Sequence, residues 1–218
     1  MVLTYRNGDD SFQIEDYTQK FTQSDLEQLG DFVCNELLST PVDVSWLGVI
    51  RIQDKGGNGV LGSWSAEFYK NKQNPSQIDS ISTLIILNYA YHDISGTLTS
   101  LDQLKETLAH EYGHHWTLLY CILNHGLLIE CMDDVFTHRL PDAYYRIRDL
   151  NYQEYYPSYS PGGWHRCDKE IVAEDYRVLF APYPYNQEHK IVTHPKINTL
   201  AFPNEETKEY IATLHHQL

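Results

Sequence analysis

The sequence predicts an α+β fold built on a small mixed or antiparallel sheet. Two observations carry this: β-rich runs cluster between positions 42 and 91, and segments with helical apolar spacing and cap signals lie on both sides of them. No repeat or linker-like stretch interrupts the 218 residues, so a single domain over 1–218 is expected.

Ser24-Asp-Leu-Glu27 reads as a capping box, with Leu26, Leu29, Phe32, Val33 and Leu37 at helical spacing behind it. That helix is expected to stop before Pro41. Val42–Ile52 reads as a strand, Lys55–Gly59 as a turn and Val60–Tyr69 as the returning strand. Thr83–Tyr91 is the strongest strand signal in the chain, bordering the expected cleft or lying in the sheet interior. A second helix opens at Ser100-Leu-Asp-Gln103 and is expected to reach about Asn124. Leu127–Leu140 suggests another helix, and Asp142–Cys167, rich in Tyr, Pro and Gly, reads as a long loop. Lys169–Phe180 is helical, bounded by Pro182 and Pro184, and Asn204 caps a last helix running to about His216.

Acidic residues outnumber basic ones 30 to 16, a net charge of −14, which argues against nucleic acid or an anionic membrane as the partner. The first residues carry no basic stretch followed by an apolar core, and no apolar run is long enough for a membrane span, so a cytoplasmic protein is expected. Cys34, Cys121, Cys131 and Cys167 form no C-x-x-C pair and are expected to be reduced.

The chemistry is concentrated in His110-Glu111-Tyr112-Gly113-His114. Histidines at i and i+4 lie on one helix face, where both imidazoles reach one ion. Zn²⁺ accepts two such nitrogens, keeps a position open for water, and lowers the pKa of that water from about 15.7 toward 7. Glu111, beside the first histidine, is then placed to take the proton. His115 projects about 100° away from His114 and reads as a packing residue or as one that supports a metal ligand from behind. Trp116 reads as core and His215-His216 as a surface pair.

A third protein ligand is required. The metzincin continuation is absent, because Thr117 and Tyr120 stand where that pattern has Gly and His. Glu170 and Glu174 share one face of the Lys169–Phe180 helix, and Ala173 between them permits a close helix approach. Asp134, Asp133 and His138 are the other candidates, Asp134 lying twenty positions after His114. Tyr155, Tyr156, Tyr159 and His165 precede Glu170 and are candidates for stabilising an oxyanion.

The pair of segments His-Glu-Tyr-Gly-His and Glu170-Ile-Val-Ala-Glu174-Asp175-Tyr-Arg-Val-Leu-Phe180 resembles the gluzincin peptidases, in particular the minigluzincin and lethal-factor-like branches. The resemblance covers two helices. It implies a zincin-like metallopeptidase domain, with the sheet packed on the histidine helix, and Zn²⁺ held by His110, His114 and Glu170. It further implies Tyr159 as the electrophile and peptide-bond hydrolysis with Glu111 as general base. Glu174, one turn beyond Glu170, is placed to orient a ligating histidine, and the Tyr-, Pro- and Gly-rich insert suggests a selective protein or peptide substrate. The alternative expectation is an inactive zincin-fold binding or regulatory protein in which zinc is structural or sensory.

Overall fold

The computed structural model describes residues 1–54, 60–73, 78–89, 100–124, 135–197 and 200–217. They group into two compact units, Met1–Tyr112 and Gly113–Leu218, with one helix running through the boundary.

The first unit holds a five-stranded mixed sheet in the order β1-β2-β3-β5-β4. Strands β1 (Val2–Asn7) and β2 (Asp10–Asp16) form an antiparallel hairpin that the sequence reading did not assign. Its signal was nonetheless present: Asn7-Gly8 precedes an alternating Phe12, Ile14, Asp16 run, and Gly8 adopts φ +63°, which a tight two-residue turn needs. β3 (Leu47–Gln53) runs parallel to both β2 and β5 (Ile78–Asn88), while β4 (Gly62–Lys70) is antiparallel to β5. The register lines up Ile14, Ile50, Ile85 and Trp64 across four strands, all buried, as one row of the core.

Helix α1 (Gln23–Asp31) starts two residues earlier than expected. Thr22 and Asp25 form the capping box, Thr22 Oγ1 accepting from the Asp25 amide while the Asp25 carboxylate accepts from the Thr22 amide. A π-helical turn, Phe32–Glu36, carries Phe32 and Val33 into the core. The expected strand over Val42–Ile52 divides: Pro41–Trp46 is helix α2 and only Leu47 onward is strand. Pro41 sits at the first helical position, and Thr40 donates its amide and hydroxyl to Asp43, which outweighs the β-branched character of Val42 and Val44. β5 begins at Ile78, earlier than predicted. Flanked by β3 and β4, it is an interior strand, the second of the two readings of Thr83–Tyr91, and β4 is the strand at the sheet edge. Tyr91 and Lys55–Gly59 lie outside the described residues.

Helix α3 (Ser100–Asn124) matches its predicted span. Its first half buries Leu104, Leu108 and Tyr112, and the Tyr112 hydroxyl donates to the buried carboxylate of Asp43 on α2.

The second unit takes the later half of α3 and adds α4 (Asp142–Ile147), a 3₁₀ turn (Trp164–Arg166), α5 (Asp168–Phe180) and α6 (Glu205–Thr213). The expected loop over Asp142–Cys167 thus contains a helix, held because Tyr144 and Tyr145 are buried. α3 and α5 touch backbone to backbone: a Cβ on Gly113 would lie 2.6 Å from the Ala173 carbonyl oxygen and 2.9 Å from its Cα. Trp116, fully buried, donates its indole N–H to the Ile211 carbonyl on α6 at 2.9 Å. His115 is buried as expected, and His215 and His216 pack on each other with ring centroids 4.0 Å apart, His215 also meeting Trp116 edge-on at 5.4 Å. Among the described residues no helix is long and apolar enough to cross a membrane.

Candidate metal centre

Because α3 is unbroken across residues 110–114, His110 and His114 are held one turn apart on the same face. Glu170 is in the first turn of α5, which the Gly113–Ala173 contact presses against α3. His114 Nε2 is 3.6 Å from Glu170 Oε1. Among the described residues, His110, His114 and Glu170 form the group that could hold a metal ion: one ligand atom from each lies within 4.8 Å of the others.

The donor set fits a metal. Two imidazole nitrogens and one carboxylate oxygen are the catalytic type of zinc ligand set, and a tetrahedral site with bonds of about 2.1 Å has ligand-to-ligand edges of about 3.4 Å. The His114–Glu170 separation is already close to such an edge. His114 is buried, while His110 and Glu170 are half-buried, so the group is partly shielded yet reachable from solvent.

No family model, curated protein or solved structure matches the chain.

Glu111 is 5% exposed and lies against the start of β4, where a Cβ on Gly62 would come within 2.6 Å of Glu111 Oε1. Tyr159 is half exposed, yet its hydroxyl donates to Glu170 Oε1 at 2.8 Å. Glu174 takes part in a different arrangement: its carboxylate accepts from Arg177 at 2.6 and 3.0 Å and from the Lys190 amide at 2.8 Å. Tyr156 donates to the Gln153 carbonyl, and Tyr155 is buried. His165 is buried and stacks on His194 with ring centroids 4.2 Å apart. Burial, and then the neighbouring His194, hold its pKa below the usual imidazole value, which favours the neutral ring. His138 Nδ1 lies 3.0 Å from the Thr137 hydroxyl. Asp133, Asp134 and Cys131 lie outside the described residues.

Among the described residues the cysteines Cys34, Cys121 and Cys167 are free thiols. Burial raises Cys34 to about 11 and Cys121 and Cys167 to about 12, so these thiols are protonated at neutral pH and poor nucleophiles.

The sequence reading missed how α5 is fixed. Asp168, Lys169, Glu174, Asp175 and Arg177 are all buried on this one helix. Asp175 accepts from Tyr144 and Arg148 at 2.7 Å each and pairs with His189 at 2.8 Å. His189 Nδ1 accepts from the Val192 amide, so the proton sits on Nε2 and is donated to Asp175. The Arg177 guanidinium spans Glu174 and the carbonyls of Tyr185, Gln187 and Glu188. These bonds clamp α5, and Glu170 with it, to α4 and to the segment over 185–192. The i,i+3 spacing of Glu174 and Arg177 was the signal available in the sequence.

Proposed function

We propose that this protein is a metal-dependent peptidase, with zinc the natural occupant of the His110, His114 and Glu170 group. The observation that carries the reading is the convergence of Glu170 on the histidine pair of α3, although His114, the nearer of the two in sequence, lies 56 positions before it. When bound there, zinc would act as a Lewis acid that polarises a carbonyl and lowers the pKa of water toward 7. Glu111 serves as general base, taking a proton from the attacking water and passing it to the leaving amine.

The placement of β4 supports a peptide as substrate. β4 lies at the edge of the sheet, with β5 as its neighbour in the strand order. The Asn88 amide donates to the Leu61 carbonyl, so odd-numbered β4 residues turn their backbone groups toward β5. Gly62, Trp64 and Ala66 then direct theirs to the outer edge, where an extended peptide can pair as an added strand. Gly62 is both on that edge and against Glu111, which brings a paired peptide beside the general base. Main-chain pairing confers affinity without strict sequence choice, and the Tyr-, Pro- and Gly-rich composition of 142–167 is the basis for expecting a selective protein or peptide substrate.

The test is a peptide library incubated with zinc-loaded protein and read by mass spectrometry. Cleavage is expected that a chelator abolishes and added zinc restores. Stoichiometric zinc with no cleavage across the library would instead favour a structural or sensory metal.

A further inference from the structure

We infer that Tyr159 is a positioning residue for the metal ligand Glu170, setting the affinity of the site for its ion through the carboxylate. The inference rests on the metal-binding reading above.

The Tyr159 hydroxyl donates to Glu170 Oε1, the oxygen that stands 3.6 Å from His114 Nε2. That contact engages the side of the carboxylate facing the histidines. A carboxylate at the start of a helix can swing about its side-chain torsions, and a hydrogen bond to one oxygen removes part of that freedom before any ion arrives. Outer partners of this kind typically change metal affinity by about 10- to 100-fold.

The phenol is itself held in place. Its ring packs on Phe136 at 5.7 Å, and its backbone carbonyl accepts from the Gly163 amide at 2.6 Å. Gly163 adopts φ +81°, a conformation that favours glycine, and leads directly into the 3₁₀ turn before α5. The loop end that carries Tyr159 is therefore tied to the start of the helix that carries Glu170. Pairing with the Asp168 amide by the Tyr156 carbonyl adds a second tie between the same two segments, at 2.9 Å. A side chain that is 51% exposed yet aims its one polar atom at a ligand oxygen is placed for that oxygen rather than for core packing.

The experiment measures zinc affinity of metal-free protein by chelator competition, for wild type, Tyr159→Phe, Glu170→Ala and the double variant. Tyr159→Phe is expected to weaken zinc binding about 10- to 100-fold, with little change in the thermal midpoint of the metal-free form. In the Glu170→Ala background it is expected to cost nothing further, because the group it acts through is gone. With cobalt in place of zinc, Tyr159→Phe is expected to shift the visible absorption bands, which report the ligand arrangement. Equal affinity in Tyr159→Phe and wild type overturns the inference while leaving the metal site standing. An equal loss in both backgrounds also overturns it, since the effect then does not pass through Glu170. Wild-type protein that binds no zinc defeats the underlying reading instead.

Discussion

Glu111→Gln is expected to lower peptide-bond turnover by about 100- to 10,000-fold, the range lost when a positioned general base is removed. The amide keeps the size and hydrogen-bonding reach of the carboxylate but has no basic site for a proton. Gly62 leaves the space the side chain occupies, so the neutral isostere fits without displacing β4. Because Glu111 is outside the His110, His114 and Glu170 group, zinc content is expected to stay at the wild-type level. Steady-state turnover of a peptide found in the library screen, measured beside metal analysis of the same sample, gives both quantities. Undiminished turnover in Glu111→Gln would remove it from the mechanism.

The largest effect on stability is expected from Arg177→Ala. The guanidinium is fully buried, paired with Glu174 and donating to three backbone carbonyls of the segment that follows α5. Truncation deprives the buried Glu174 charge of its guanidinium and those carbonyls of their donor. Breaking such a buried pair from one side costs about 3–5 kcal/mol. At about 2–4 °C per kcal/mol for a chain of this size, the unfolding midpoint is expected to fall by roughly 6–20 °C. Calorimetry of the metal-free variant measures it, and a fall under about 2 °C would show that the network on α5 is not a principal support of the second unit.

The strongly local features of this chain were legible in the sequence. α3 follows its apolar spacing from Ser100 to Asn124, α5 needed one added residue at its start, and Asn204 caps α6 by accepting from the Thr207 amide. Two local signals pointed in competing directions. Val42 and Val44 suggested a strand, but Pro41 and the Thr40–Asp43 box start a helix there, and the Asn7-Gly8 turn marks a hairpin in a stretch of mixed polarity. Ala173 is small enough to permit helix contact; that Gly113 is its counterpart appears only when the two helices are brought together.

The candidate site divides the same way. Helical geometry alone puts His110 and His114 on one face, so the pair could be read from spacing. The choice of Glu170 among several acids depends on where α5 packs, and that is decided by buried charges whose partners, Arg148 and His189, lie far from it in sequence. No residue-type pattern announces that Gly62 makes room for Glu111. A glycine at the head of a strand usually signals a turn or bulge, whereas here it marks a close approach between a strand and an acidic side chain.

Whether two imidazoles of α3 and one carboxylate of α5 hold a single ion is decided by elemental analysis of purified wild-type and Glu170→Ala protein. About one equivalent of zinc in the wild type and less than about a tenth in the variant is the predicted result. A wild-type protein with less than about a tenth of an equivalent after exposure to zinc, or a Glu170→Ala protein that keeps the full amount, would contradict it.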